Sequence, residues 1–211
     1  ASSANLEYAA VWGTLADVDP EVPRVADDIP VRRISTLLEA SGRAEGNPVR
    51  LRENSGIAFQ GAIVRGMGFV VEAEEAAAWI AADPRNAEVL FPYLNGEDLN
   101  SRPDASASRW VIDFNDRSEA ESATYELPFA RVAEQVKPGR LSNKDKLVQG
   151  HPWWRFWRTS PAMRNAIATL PEVLVIARVS KTVMPLRVGT RQVPSEACVV
   201  FATGSHSDQA V

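Results

Sequence analysis

An α+β fold, built on a mostly antiparallel sheet with flanking helices, is what the sequence predicts, and three observations carry the expectation. Short apolar and β-branched runs recur along the chain, around 57–71, 89–94 and 110–114. Stretches with helical spacing and recognisable start or stop residues fall between them. The last part then offers three strands, Val173 to Val179, Val183 to Val188 and Ala197 to Phe201, so the sheet is assembled from non-adjacent segments.

Taken in order, Tyr8 to Val18 reads as an early strand, from the apolar run Ala9-Ala10-Val11-Trp12 and the partial alternation after Gly13. The Pro and Asp residues between Asp19 and Pro30 predict a loop, and Ile34, Leu37 and Leu38 a short helix ending near Gly42. Ile57 to Val71 is apolar, with glycines at 61, 66 and 68. No Lys-Ser/Thr pair follows and the spacing does not suit a dinucleotide fingerprint, so a hairpin with glycines at a turn and a bulge is expected. Glu72 to Ala82 is the clearest helix: acids at 72, 74 and 75 favour the positive end of its dipole, and Ala76, Trp79 and Ile80 form an apolar stripe. Asp83-Pro84 ends it.

Val89 to Leu94 reads as a strand running into Asn95-Gly96, a pair suited to a type I′ turn, and Trp110 to Phe114 as another strand. A helix from about Leu127 to Val136 is expected to stop at Pro138-Gly139. Ser160-Pro161 opens a helix through Leu170, with proline in the first turn, where its missing N–H costs nothing.

The chain has 211 residues, 45% hydrophobic and 24% charged, which matches one globular domain or a domain with an appendage. No apolar run approaches the ~18 residues that span a bilayer, and no signal-peptide layout opens the chain, so a cytoplasmic protein without a membrane partner is expected. Both ends read as cut from a longer protein. The single cysteine, Cys198, lies in the run Ala197-Cys198-Val199-Val200-Phe201 and reads as a buried strand thiol. His151, His206 and Cys198 show no metal-ligand spacing.

Charge is distributed unevenly. Residues 131–191 hold twelve Lys or Arg against three acids, a net +9, whereas residues 1–130 hold eleven bases against twenty-two acids, a net −11. Clustered cations are the footprint of a polyanion site, because each neutralised phosphate releases counterions; a solvated basic face with no partner has the same composition.

Catalytic chemistry finds no support. Asp113 and Asp116 flank a strand end, but a nuclease-like magnesium site also needs a lysine close to the second acid, and the nearest is Lys137. There is no Gly-x-Ser-x-Gly elbow and no Asn/Asp-Pro-Pro-aromatic tetrapeptide of amino-methylating enzymes. Two segments suit nucleic acid instead. His151 to Arg158 interleaves four aromatics with two arginines, which offers either stacking surfaces beside cations or ordinary core. Along an extended Arg178 to Arg187, Arg178, Ser180 and Thr182 share one face and Lys181 and Arg187 the other, a pattern able to read base edges or merely to protect a sheet edge.

Phe59-x-Gly61, Gly66-Met67-Gly68-Phe69, Asp83-Pro84-Arg85-Asn86, Phe91-Pro92-Tyr93-Leu94-Asn95-Gly96-Glu97-Asp98-Leu99-Asn100, Arg109-Trp110-Val111-Ile112-Asp113-Phe114, Val136-Lys137-Pro138, Trp153-Trp154 and Arg178-Val179-Ser180-Lys181 occur together in this order. From about Trp12 to the end, the chain resembles the C-terminal target-recognition region of type IIG and type IIL adenine-specific DNA methyltransferases, many of them fused to a restriction nuclease. The resemblance implies a specificity-domain-like fold over 1–211 and recognition of double-stranded DNA. It also implies an N-terminal methyltransferase domain in the same parent chain, with S-adenosylmethionine as that domain's cofactor and none in this region.

The sites that follow are regional. Lys137, Arg140, Lys144, Lys146, Arg155 and Arg158 are expected on phosphates, and Arg178, Ser180, Lys181, Arg187 and Arg191 on or near base edges. No catalytic or metal-binding residue is expected. The competing expectation is a scaffolding domain that docks on the methyltransferase or on a partner subunit.

Overall fold

A computed structural model describes residues 16, 17, 19, 21–32, 34 and 55–204. The chain divides into two units, Ala1–Arg50 and Leu51–Val211. The strand expected over Tyr8 to Val18 and the helix ending near Gly42 lie outside the described residues, apart from Ala16, Asp17 and Ile34.

In the first unit the expected loop is a small hairpin. Strands β1 (Arg24–Ala26) and β2 (Ile29–Val31) pair antiparallel across Asp27-Asp28, both at positive φ (52° and 61°). Aspartate tolerates the left-handed region, so two of them close a two-residue turn that the Pro and Asp content had suggested was irregular. Pro30 faces Val25, one position from the closing pair, where an antiparallel ladder has no hydrogen bond to lose.

The second unit holds two four-stranded sheets. The first runs β3 (Ala58–Gln60), β10 (Cys198–Phe201), β7 (Glu172–Ala177), β8 (Leu186–Gly189), antiparallel throughout. The second runs β4 (Val70–Val71), β6 (Arg109–Ile112), β5 (Leu90–Leu94), β9 (Val193–Pro194), antiparallel except for the parallel β5–β9 pair. Helices flank both, which makes the fold α+β as the sequence predicts.

The expected hairpin over 57–71 does not form. β3 and β4 belong to different sheets, and the chain between them crosses from one to the other. Gly61 marks the crossing: a Cβ there would overlap the backbone carbonyls of Pro194 and Ser195. Close backbone approach, not a turn, is why this position is glycine. Gly68, in a 3₁₀ turn over Met67–Phe69, lies against Gln135, where a Cβ would come within 2.6 Å of the Gln135 Cβ.

Helix α1 (Ala73–Ala82) follows β4 with Glu74 and Glu75 in its first turn, and Asp83 ends it by accepting the Arg85 N–H that starts the 3₁₀ turn Pro84–Glu88. The Asn95-Gly96 pair makes no type I′ turn. Asn95 is the cap of α2 (Gly96–Ser101): its Oδ1 accepts from Glu97 N and Asp98 N, and buried Asp98 accepts the Asn95 N–H in return. A capping box competes successfully with a hairpin because Asp stands three residues on. A second capping box, Ser118 with Glu121, opens α3 (Glu119–Ser122).

Helix α4 (Glu126–Gln135) does not stop the helical path at Pro138-Gly139. It leads directly into α5 (Lys137–Leu141), with Pro138 in the first turn, and α6 (Lys146–Gly150) follows, capped by Asp145. Helix α7 (Pro161–Ile167) is shorter than the sequence suggests.

Two cores result. Phe69, Val111, Ile112, Phe114, Val132 and Phe156 pack between the second sheet and α4; Leu94, Met163, Val173, Val175, Cys198 and Val200 pack beneath the first. β5 reaches both, with Leu90 in one and Leu94 in the other.

Candidate nucleic-acid interface

The aromatic run of 151–158 is mostly core. Trp153 and Phe156 are buried, Trp153 against Phe129 (centroids 5.2 Å) and Phe156 edge-on to Phe69 (5.4 Å). Trp154 is half-buried and donates its indole N–H to the Arg117 carbonyl. Trp157 faces the Arg65 guanidinium, 4.6 Å from its centroid, with His151 against the same ring.

Much of the basic third is spent inside the fold. Arg140, expected on phosphate, is 4% exposed. Its Nη2 donates to the carbonyls of Val64 and Arg65, both at 3.1 Å, and its Nη1 to His151 Nδ1. His151 Nδ1 lies 3.1 Å from this donor and also 3.1 Å from the Pro152 carbonyl, which only accepts, so the two contacts make opposite demands on that nitrogen. Burial, and then the Arg65 charge, lower the Arg140 pKa, and no carboxylate offsets them. Arg140 is therefore a backbone clamp and leaves the phosphate set. Arg155, also placed there, turns onto the carbonyls of Asp116 and Arg117. Lys137 lies 4.6 Å from the Trp153 centroid and 4.0 Å from Glu119.

Arg131 pairs with Glu75 (2.9 Å) and Arg164 with buried Asp113 (2.6 Å). The second pair also answers the Asp113–Asp116 question: Asp113 is committed to an arginine and to the Asn115 N–H. Among the described residues, no group of three or more His, Cys, Asp or Glu gathers as metal ligands.

Lys144, Lys146, Arg158, Lys181 and Arg191 are exposed and have no ion-pair partner among the described residues. Lys144 and Lys146 stand at the α5–α6 turn. Arg191 lines a cavity of about 410 Å³ with Phe91, Asn115, Arg164 and Gln192. Arg187, on the edge strand β8, lies 3.8 Å from Glu172.

The segment from Arg178 to Arg187 is not one extended strand. β7 ends at Ala177 and β8 begins at Leu186, so 178–185 is a loop between antiparallel neighbours and the expected face alternation fails there. The loop is held at its base. Arg178 N donates to the Ala197 carbonyl (2.8 Å), Arg178 Nη1 to the Glu196 carbonyl (3.0 Å), and Asn100 Nδ2 to the Val179 carbonyl (3.0 Å). Beyond these anchors every residue through Pro185 is exposed.

Glu196 and Ala197, the anchors of that loop, also line a cleft of about 410 Å³ with Arg65, Met67, Tyr93 and Arg109. Three elements build it. Arg109 starts β6 directly opposite Tyr93 on β5. Arg65 follows a segment gripped on both sides, through the Ala62–Ser195 and Ile63–Arg158 bridges. Its own φ of +50° turns the chain outward, a strained conformation that the Arg140 clamp beneath it maintains. Tyr93 is buried, which together with nearby Glu196 pushes its phenol above the usual range, so it stays a neutral O–H.

The structure thus anchors Arg178 on the rim of a cleft lined by two cations that sequence reasoning missed, Arg65 and Arg109. Both lie in the acidic part of the chain. The available signals were Gly66 and Gly68 just after Arg65 and the position of Arg109 at the head of a strand.

No family model matches the chain, and no curated protein matches it. Among solved structures it is similar to the Type IIL restriction-modification enzyme MmeI in complex with DNA, with a TM-score of 0.60 at 17% identity, over 84% of this chain and 23% of that one. The chain therefore spans less than a quarter of that enzyme's length, and the likeness is one of fold.

Proposed function

We propose that this chain is the double-stranded-DNA recognition region of a restriction-modification enzyme, and that its parent is an S-adenosylmethionine-dependent adenine methyltransferase working in the cytoplasm. The observation that carries the reading is the exposed loop 178–185, with Arg178 and Lys181, anchored on the rim of a cleft lined by Arg65 and Arg109. The likeness to MmeI, an enzyme solved in complex with DNA, supports it.

Arg178, Ser180 and Lys181 face base edges in this reading, where Arg and Lys favour guanine, and Arg65, Arg158, Lys144 and Lys146 meet phosphates. The catalytic domain, the cofactor and the methylated adenine belong to the rest of the parent. Among the described residues no helix is long and apolar enough to cross a membrane.

Duplex binding measured across a salt series tests the reading. Arg158→Ala should weaken all sequences about equally and reduce the salt slope by about one. Lys181→Ala should relax one position of a preferred site. Equal losses on every sequence for Arg178→Ala and Lys181→Ala would refute the base-reading role, and salt-independent binding would refute the DNA reading itself.

A further inference from the structure

We infer that Val179 and Val183 read the C5-methyl group of a pyrimidine in the major groove, thymine in ordinary DNA; the inference rests on the DNA-recognition function proposed for this chain. The two valines are 86% and 85% exposed, and Met184 beside them is 47% exposed. Isolated apolar residues on a surface are ordinary, but here they are grouped on one loop between cations. Between Glu172 and Glu196 the chain has no acid, and Arg178, Lys181 and Arg191 supply positive charge, Arg187 being paired with Glu172. That charge selects a polyanion over an apolar protein surface as the loop's occupant.

The chemistry of the loop favours the groove. Each exposed valine has hydrogen-bonding neighbours in sequence, Val179 between Arg178 and Ser180, Val183 after Thr182. The major groove has the complementary alternation: donor and acceptor edges interrupted by the thymine methyl, the one apolar group on its floor. Three hydrogen bonds, to Glu196, Ala197 and Asn100, fix the first end of the loop at Arg178 and Val179. Branching at Cβ restricts valine's χ1, so presenting its methyls costs little further entropy.

The test uses the full chain. A randomised duplex pool is selected for binding, and each thymine of the selected site is then replaced by deoxyuridine, which removes only the methyl. One position should weaken binding about fourfold, the equivalent of one buried methyl at ~0.8 kcal/mol. Val179→Ser or Val183→Ser should shrink that difference while leaving the melting temperature unchanged, because neither side chain is packed. Replacing the sensitive thymine pair by a cytosine pair should be partly rescued by 5-methylcytosine.

A selected site without a fixed thymine overturns the inference, as do valine variants that keep the full deoxyuridine penalty. So does a loss confined to assembly with a separately supplied protein domain, which would make the loop a docking surface. A pool that yields no preferred sequence removes the recognition function and this inference together.

Discussion

Replacing Arg140 by alanine separates a structural arginine from a DNA-binding one. The guanidinium makes two bonds of 3.1 Å to the carbonyls of Val64 and Arg65 and a third contact to His151. A hydrogen bond from a charged donor contributes ~1.5–3 kcal/mol net, so the two carbonyl bonds amount to ~3–6 kcal/mol. Removing a buried charge that has no carboxylate partner returns part of this, which leaves a destabilisation of ~3 kcal/mol. For a unit of this size that lowers the melting temperature by ~6–12 °C. Thermal unfolding followed by circular dichroism measures it, with duplex affinity taken at several salt concentrations below the transition. A melting temperature unchanged within ~1 °C, together with a salt slope reduced by about one, would place Arg140 on phosphate and refute the clamp.

His151 predicts how stability responds to pH. Burial, opposed by the bond to the Pro152 carbonyl and reinforced by the charges of Arg140 and Arg155, holds its pKa below the ordinary 6.5. Below that value the unfolded chain binds the proton and the folded chain resists it, so stability falls on acidification from pH 7 through the depressed pKa. His151→Gln should flatten that part of the melting profile; an unchanged profile would reject the neutral ring. Cys198, with its thiol pushed up to about 11 by burial, should resist a disulfide thiol reagent at pH 8 until the chain is unfolded. Gly61→Ala should destabilise at or beyond the top of the ~1–3 kcal/mol range for overpacking, since backbone rather than side chain must move. Soluble, cooperatively melting Gly61→Ala protein at the wild-type temperature would mean that the strand crossing is loose.

Legibility followed the range of the interactions involved. α1, β6, β7 and β10 were readable because their apolar spacing and caps are local, and Cys198 was readable as core from its four neighbours alone. The motif Asn95-Gly96-Glu97-Asp98 was visible but misread: one pair of residues serves a hairpin or a cap, and only the buried Asp98 carboxylate, bonded to the N–H groups of Asn95 and Ser108, decides between them. Charge was the least reliable guide. Composition counts Arg140 and Arg164 with Lys144 and Lys181, yet two are held by carbonyls or a buried carboxylate and two face solvent.

The sequence by itself determined an α+β chain with antiparallel pairing, a buried thiol and a cationic late segment, because periodicity, turn residues and net charge are properties of neighbours along the chain. Tertiary structure alone decided that 58–71 spans two sheets, that 178–185 is a projecting loop, and that Arg65 and Arg109 line the cleft on whose rim Arg178 is anchored. Those outcomes depend on contacts across more than forty positions, such as Gly61 against Ser195 and Arg140 beneath Arg65. Steric fit and the pairing of buried donors fix such contacts, and neither leaves a local mark in the order of residues.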